Sequence, residues 1–264
     1  MIANPDTMDR RATFLAMGDF VESMGGKVKT GVDVGLTADD VEVMAERTSH
    51  LGGRAALAPD LVTAYGVLTS ISAAVKHRRG SDDLTGMSVA VQGLGKVGFK
   101  LVELLQARGA TVVAAEVNPD AVNRARDTFG IKIVDPSVIH AQDVDIYSPC
   151  ALGMVVNDQS IKEISAGIVA GAANNQLTRP QHGVELAKKG TLYVPDYIVN
   201  CGGLLAVTSD LEASDESWVW NKVDEIADTL DEVFSLADRL EIATSYAADQ
   251  IGAARIANFD ASQV

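Results

Sequence analysis

One stretch of the sequence, from Ser88 to Asn118, constrains the fold of this chain more than any other. It begins with a short apolar run, Ser88 to Val91, which is typical of a strand buried on both faces. The segment GLGKVG at 93–98 has the pattern G-x-G-x-x-G, and Val97 to Arg108 carries apolar residues on one helical face. A second apolar run, Thr111 to Ala115, predicts the next strand. Strand, glycine turn, helix and strand in this order predict a unit that binds a dinucleotide.

Each glycine of the turn has its own role in such a unit. Gly93 allows the tight turn, Gly95 lets the backbone approach a pyrophosphate, and Gly98 lets the helix pack closely on the strand. The helix N-terminus offers unpaired N–H groups and a partial positive charge to the phosphates, and Lys96 either meets a phosphate or occupies a solvated turn position. Glu116, after the second strand, is placed to bind the adenosine ribose and to repel a 2′-phosphate, which favours NAD over NADP. The cofactor-binding residues predicted in this stretch are Gly93, Leu94, Gly95, Lys96, Val97, Gly98, Glu116 and Val117.

The composition is that expected of a soluble intracellular enzyme. With 264 residues and a formal net charge of −14 at pH 7, the chain is not expected to bind nucleic acid or an anionic membrane. No apolar run is long enough to span a bilayer, and the first residues have no signal-peptide pattern. Two cysteines are too few for a disulfide framework, which indicates a reducing, cytoplasmic compartment. The four histidines are scattered, so no metal site is expected.

Strands and helices alternate along most of the chain after residue 59. Further strands are predicted at Val144 to Ser148, Ile168 to Ala170 and Thr191 to Val194, with helices between them. This alternation predicts an α/β fold with a doubly wound, parallel, Rossmann-type sheet. The loops SPCALG and GAANN follow two of these strands, at the edge of the sheet where ligands bind in such folds. Two C-terminal helices are predicted from about residue 214.

The first 58 residues have a different pattern and predict a remnant of a separate α/β substrate domain. A helix is expected from Arg10 to Met24 and a strand from Val28 to Val34. Thr37 followed by Asp40 resembles a capping box for a helix from Ala38 to Ser49. The Gly/Ala-rich segment Leu51 to Leu57 is expected to be the loop between the domains, which divides the chain into 1–58 and 59–264.

Several longer motifs, in this order and spacing, resemble one family. They are KTGVDVG, LVTAYGV, VQGLGKVG, SPCALG, VAGAANNQL and LYVPDYIVNCGG. Together they are similar to the NAD-dependent amino-acid dehydrogenases of the glutamate, leucine, phenylalanine and valine group, and most of all to leucine and valine dehydrogenases. The resemblance covers essentially the whole chain. It implies oxidative deamination of a branched-chain L-amino acid to the 2-oxo acid and ammonia with NAD as the hydride acceptor, and it leaves room for a homo-oligomer.

The resemblance also implies roles for two residues before the glycine turn. Asp33 matches the family's catalytic acidic residue, which works with a lysine in proton transfer. From the sequence alone, Asp33 could equally be a residue that caps the turn before Gly35. Thr63 matches a threonine near the nicotinamide amide, or it is a helix-interior threonine bonded to the preceding turn.

Residues after the glycine turn match the nicotinamide end of the family's cofactor site and its substrate pocket. Cys150 and Ala151 lie in one loop, with Cys150 expected to be a small loop residue and not a nucleophile. Asn174 and Asn175 lie in another loop and are expected to be buried amides that need a ligand as partner, unless they satisfy loop backbone groups. Leu204 and Val207 match apolar residues against the substrate side chain, although core packing would also explain them.

One family feature is not found in these 264 residues. Family members carry a glycine-rich GGGK segment that binds the substrate carboxylate, with the catalytic lysine near it, and this segment would precede residue 1. Lys29 would share a strand face with Asp33 and is a weaker candidate for the missing lysine. Three hypotheses follow: a dehydrogenase that lacks this region, a non-catalytic NAD-binding or regulatory module, or another NAD-dependent reductase such as an imine reductase.

Overall fold

The chain forms two compact units. A computed structural model of the protein describes residues 7–32, 35–53, 57–212 and 214–259. The first unit comprises Met1–Pro59 and Gly203–Asn221, and the second comprises Asp60–Gly202 and Lys222–Val264. The predicted boundary between residues 58 and 59 lies beside the end of the first segment. Residues 203–221, which the sequence placed in the dinucleotide-binding domain, instead group with the first unit, because Val207 packs against Gly31 and Gly52 there.

The helices and strands of the described residues follow the predicted alternation. The helices are α1 Arg10–Ser23, α2 Ala38–Ala45, α3 Pro59–Arg79, α4 Lys96–Ala107, α5 Pro119–Phe129, α6 Ser160–Glu163, α7 Pro180–Lys188, α8 Asp196–Val199, α9 Gly202–Leu211, α10 Glu216–Leu240 and α11 Thr244–Ala257. The strands are β1 Thr30–Gly31, β2 Leu51–Gly52, β3 Ser88–Gln92, β4 Thr111–Ala115, β5 Lys132–Ile133, β6 Ile146–Pro149, β7 Ile168–Val169 and β8 Leu192–Tyr193. A 3-10 helix at Pro136–Ala141 precedes β6 and was not predicted.

The first unit contains a small two-stranded sheet in place of the longer strand that the sequence predicted. Only Thr30–Gly31 of the expected run from Val28 forms a strand, and it pairs in parallel with Leu51–Gly52. The expectation that Leu51 begins a loop was therefore wrong. Leu51 is buried with Phe14 of α1 and Met44 of α2, and this apolar burial accounts for its place in a strand.

The capping box at the start of α2 is present as predicted. The Thr37 hydroxyl accepts a hydrogen bond from the Asp40 backbone N–H, and the Asp40 carboxylate accepts one from the Thr37 backbone N–H at 2.7 Å. The same buried carboxylate forms an ion pair with Arg10 of α1. Hydrogen bonding from Arg10 and, against the effect of burial, from Thr37 holds the pKa of Asp40 well below its usual range. Asp40 thus joins α1 to α2.

Asp40→Asn is expected to destabilise the first unit by about 1–3 kcal/mol, because the arginine loses a charged, hydrogen-bonded partner. Since the pKa of the folded carboxyl is lowered, its contribution is present above the unfolded pKa of about 4 and is lost as the pH falls through the folded value. Thermal unfolding followed from about pH 3 to 7 should show the wild type losing this increment on acidification, with a flatter profile in the variant. Asp39→Asn, at the exposed neighbouring position, is the control. Equal stability of the two variants would contradict this role.

The second unit is built on a six-stranded parallel sheet. Its strands lie in the order β5-β4-β3-β6-β7-β8, and every pairing is parallel. In chain order within this sheet, the arrangement is 3-2-1-4-5-6, the order of the dinucleotide-binding Rossmann fold. The chain direction reverses between β3 and β6, so the loops that follow these two strands meet at one edge. This confirms the predicted fold class.

Apolar side chains cover the sheet and fix this edge in place. The core includes Ala90, Tyr147, Val169 and Tyr193 from successive strands. Tyr147 is buried, and its hydroxyl donates a hydrogen bond to the side-chain oxygen of Gln92, the last residue of β3. The carboxyl ends of β3 and β6 are thereby held together directly beneath the glycine turn.

Candidate cofactor and substrate site

The glycine turn begins with a residue that only glycine tolerates. Gly93 has φ +96°, and its N–H donates to the carbonyl oxygen of Ala115 at 2.8 Å. A Cβ added to Gly93 would lie 2.9 Å from the Cβ of Ala151, in the loop after β6. Both the positive φ and this close approach favour glycine. The turn is therefore packed directly against the second predicted loop of the cofactor site.

The other two glycines have opposite surroundings. A Cβ on Gly98 would lie 2.0 Å from the carbonyl oxygen of Gly93, so α4 can approach β3 only because this residue has no side chain. A Cβ on Gly95 would meet no heavy atom within 4 Å. Gly95 precedes the first residue of α4, where unpaired helix N–H groups favour an anion. The structure thus provides open space beside a helix N-terminus, and a dinucleotide pyrophosphate fits that space.

Glu116 lies at the end of β4 and faces the glycine turn. Its carboxylate accepts hydrogen bonds from the backbone N–H groups of Leu94 at 2.7 Å, Val117 at 2.7 Å and Asn118 at 2.9 Å. Partial burial would raise the pKa of Glu116, but these backbone hydrogen bonds outweigh it and lower the pKa. The group is therefore a carboxylate at neutral pH. It fixes the turn and places a negative charge beside it.

The remaining residues of the turn divide into core and surface. Leu94 is fully buried and Val97 is half-buried, so both support the turn by packing. Lys96 and Val117 have exposed side chains. The exposure of Lys96 agrees with both roles considered for it, contact with a phosphate or a solvated turn position.

Cys150 follows β6 and lies against the glycine turn. Its backbone N–H donates to the carbonyl oxygen of Gln92 at 2.7 Å. A Cβ on Gly98 would lie 3.4 Å from the Cβ of Cys150. Burial raises the pKa of the Cys150 thiol, which makes a thiolate nucleophile unfavourable at neutral pH. The position is that of a small packing residue, with Ala151 exposed beside it.

Asn174 and Asn175 lie in the loop after β7, but the expectation that they are buried amides is wrong. Both are exposed, because the loop turns outward through Asn175, which has φ +52°. The side-chain amide of Asn200 donates to the Asn174 side-chain oxygen at 2.5 Å and to the Ala172 carbonyl oxygen at 3.1 Å. Asn174 is therefore a presented amide that is held from one side.

The two loops are also zipped together at the edge of the sheet. Met154 N–H donates to the carbonyl oxygen of Asn175 at 2.7 Å, and Val156 N–H donates to that of Gln176 at 2.9 Å. A Cβ on Gly153 would lie 2.2 Å from the carbonyl oxygen of Asn174. The loops that carry Cys150 and Asn174 thus form one supported surface.

Three residues of this surface were not predicted from the sequence: Gln176, Asp196 and Asn200. The Asp196 carboxylate accepts the backbone N–H of Gln176 at 2.9 Å. All three lie inside or beside the motifs VAGAANNQL and LYVPDYIVNCGG, and a polar residue flanking a motif was the available signal. Their partners are distant in sequence, and so only the fold identifies them.

Comparison with known proteins agrees with this geometry. The family model for glutamate/leucine/phenylalanine/valine dehydrogenase matches residues 52–132 and 120–263. The chain is 37% identical to leucine dehydrogenase of Bacillus cereus, over 100% of this chain and 73% of that protein. It is 39% identical to phenylalanine dehydrogenase of Bacillus thermotolerans, over 97% of this chain and 70% of that protein. The crystal structure of L-tryptophan dehydrogenase from Nostoc punctiforme superposes with a TM-score of 0.82, at 40% identity, over 94% of this chain and 73% of that one.

The chain belongs to this amino-acid dehydrogenase family. It is accordingly an oxidoreductase of the class that acts on CH–NH2 donors, and its cofactor is a nicotinamide dinucleotide. The relatives named above act on leucine, phenylalanine and tryptophan, so membership alone leaves the amino acid open.

The other predicted site residues of this dehydrogenase lie in both units. Thr63 is buried on α3 of the second unit, where a Cβ on Gly202 would lie 2.8 Å from its Cα. Leu204 and Val207 lie on α9 in the first unit, Leu204 exposed and Val207 half-buried. Asp33 falls outside the described residues, and Lys29 has an exposed side chain.

Other features of the second unit lie away from this edge. Two cavities lined by Arg78 lie at the amino ends of the strands, and Arg78 itself donates to the carbonyl oxygens of Gly167 and Gly190. Among the described residues, no group of three or more His, Cys, Asp or Glu side chains is placed to hold a metal ion. In the same part of the chain, no helix is long and apolar enough to cross a membrane.

Proposed function

We propose that this dehydrogenase uses NAD in preference to NADP and deaminates a branched-chain L-amino acid, leucine or valine. In the proposed reaction the amino acid, NAD and water yield the 2-oxo acid, ammonium, NADH and a proton. The cofactor, when bound, supplies the hydride acceptor. This chain supplies the cofactor cradle, the groups that orient the nicotinamide, and an acidic residue for proton transfer.

The observation that carries the preference for NAD is the position of Glu116. Its carboxylate already accepts three backbone hydrogen bonds and lies against the turn at Leu94. Ribose hydroxyls can donate hydrogen bonds to such a carboxylate, whereas a 2′-phosphate would face a like charge. The next three residues, Val117, Asn118 and Pro119, offer no cation to compensate.

The proposed substrate class rests on α9 and on the family resemblance. Leu204 and Val207 are three residues apart on one helix, so their side chains share a face. An aliphatic face of this kind favours an apolar amino-acid side chain over a charged one. Leucine or valine is preferred because the sequence is most similar in its motifs to leucine and valine dehydrogenases.

For proton transfer we propose Asp33, which the resemblance places at the family's catalytic acidic position. A carboxylate that works with a lysine can exchange a proton with the substrate nitrogen or with attacking water near neutral pH. Thr63 is proposed to contact the nicotinamide amide. We further propose a cytoplasmic homo-oligomer, which size-exclusion chromatography with light scattering would test.

The wild-type chain is expected to bind NADH at least about tenfold more tightly than NADPH, because a 2′-phosphate beside Glu116 costs upward of about 1.4 kcal/mol. Glu116→Ser removes the charge and should narrow this ratio, mainly by improving NADPH binding. Fluorescence titration of both nucleotides measures the ratio directly.

Glu103→Ser is a matched control, because Glu103 is an exposed residue of α4 that pairs only with Lys100 among the contacts described for it. It should leave the ratio unchanged. NADPH binding as tight as that of NADH in the wild type would overturn the proposal.

A further inference from the structure

The side chain of Gln176 is unusual among the residues near the cofactor edge. It is completely buried, whereas the neighbouring Asn174 and Asn175 are exposed. Its amide nitrogen donates two hydrogen bonds, to the carbonyl oxygens of Gly171 at 2.6 Å and Ala173 at 3.0 Å. Its amide oxygen has no hydrogen-bond partner among the described residues. Burial of an unpaired oxygen costs free energy, so an amide at this position is explained by what its nitrogen holds.

The two carbonyl groups that Gln176 holds belong to the loop that leads from β7 to Asn174. Gly171 packs so closely on β6 that an added Cβ would lie 2.2 Å from the Pro149 carbonyl oxygen. The Ala173 N–H donates to the same oxygen at 2.9 Å. Gln176 therefore fixes the carbonyl groups of the first and third residues of a loop whose backbone is already pressed against β6.

Asn200 holds the alternate positions of the same loop. Its amide nitrogen donates to the Ala172 carbonyl oxygen and to the Asn174 side-chain oxygen. Successive carbonyl groups of 171–173 are thus fixed by Gln176, Asn200 and Gln176 in turn. With the backbone held in this way, Asn174 has one orientation in which it can meet Asn200 and still be exposed.

Gln176 is itself held at both backbone groups. Its N–H donates to the Asp196 carboxylate at 2.9 Å, and its carbonyl oxygen accepts the N–H of Val156 at 2.9 Å. Its side chain therefore extends from a fixed backbone, as a residue that orients another group requires.

We propose that Gln176 is a positioning residue for the nicotinamide half of the cofactor: its buried amide fixes the loop 171–174 and so aims the Asn174 side chain at that half. This inference rests on the proposed cofactor site, and it adds a residue that the family resemblance did not indicate. The adenosine half, at Glu116 and the glycine turn, does not depend on Gln176.

The test compares two ligands that share the adenosine diphosphate half. NADH carries the nicotinamide, and ADP-ribose lacks it. Gln176→Met keeps the length of the side chain and removes both donors, so NADH should bind about tenfold more weakly. ADP-ribose should bind within about twofold of the wild type. Calorimetric titration of both ligands gives the two affinities.

Two further variants make the comparison decisive. Gln106→Met is the matched control, because the Gln106 amide also donates to a backbone carbonyl oxygen, that of Phe129 at 3.1 Å, but on the far end of α4. It should change neither affinity. Gln176→Asn retains the amide with a shorter reach and should weaken NADH by an intermediate factor, and it provides the result if the methionine variant does not fold.

Each outcome of the titrations has a defined meaning. Selective loss of NADH affinity in the Gln176 variants supports the inference. Equal loss of both ligands, or no loss of either, would overturn it, since Gln176 would then be a general packing residue. A wild-type chain that binds neither ligand would instead overturn the proposed cofactor site on which the inference depends.

Discussion

Replacing Gly95 by alanine is expected to lower the affinity for NADH by at least about a hundredfold while leaving the fold nearly unchanged, because the pyrophosphate would lose its hydrogen bonds to the helix N-terminus. The added Cβ meets no protein atom within 4 Å. The backbone there has φ −66°, which alanine adopts readily. The cost to stability is therefore only the weaker helix cap, about 1 kcal/mol or less. The same methyl group fills the space through which a phosphate would approach.

Two other glycine substitutions separate binding from folding. Gly98→Ala would place a Cβ 2.0 Å from the carbonyl oxygen of Gly93, so it should lose both NADH binding and stability, the latter by about 1–3 kcal/mol. Gly167→Ala is a control in the same unit, since its Cβ would have ordinary contact at 3.7 Å and should affect neither. Fluorescence titration and thermal unfolding of all three give the comparison. Undiminished NADH affinity in Gly95→Ala would contradict the assignment of this turn to the pyrophosphate.

The dinucleotide unit was predictable because local and long-range requirements coincide there. β4 at Thr111–Ala115 and α5 at Pro119–Phe129 have the predicted bounds, and the three glycines have the surroundings that their predicted roles require. Turn, helix cap and apolar period are all local properties of the chain, and each indicates the same structure. Sequence reasoning is strongest where such signals agree.

Elsewhere the outcome depended on contacts that the sequence does not display. The strand at Leu51 was expected to be a loop because it is short and rich in glycine, yet burial against Phe14 and Met44 decides its conformation. The exposure of Asn174 and the burial of Gln176 follow from a loop that turns at Asn175. Three adjacent amides cannot be ranked by burial from their order alone, since the backbone conformation determines which of them points inward.

The second large effect concerns turnover of the amino acid. The 264-residue chain, assayed with leucine and valine, is expected to form NADH on the order of a hundred- to ten-thousand-fold more slowly than a form that carries the family's GGGK region ahead of residue 1. The family resemblance associates that region with the substrate carboxylate and the catalytic lysine, and loss of a positioned acid–base group costs this much. NADH binding should be equal in the two forms, because the glycine turn and Glu116 are common to both. Initial rates by NADH absorbance, together with titration, give both quantities.

Asp33→Asn in the longer form tests which residue transfers the proton. The amide cannot exchange a proton near neutral pH, so the maximal rate should fall about a hundredfold or more while NADH affinity stays unchanged. Asp39→Asn is the matched control, because Asp39 is an exposed aspartate six positions further along the same unit. If the 264-residue chain instead turns over at the rate of the longer form, the resemblance to the family's lysine is misleading, and Lys29 becomes the residue to replace. If Asp33→Asn retains its rate while Asp39→Asn does too, Asp33 only caps the turn before Gly35, the alternative that the sequence left open.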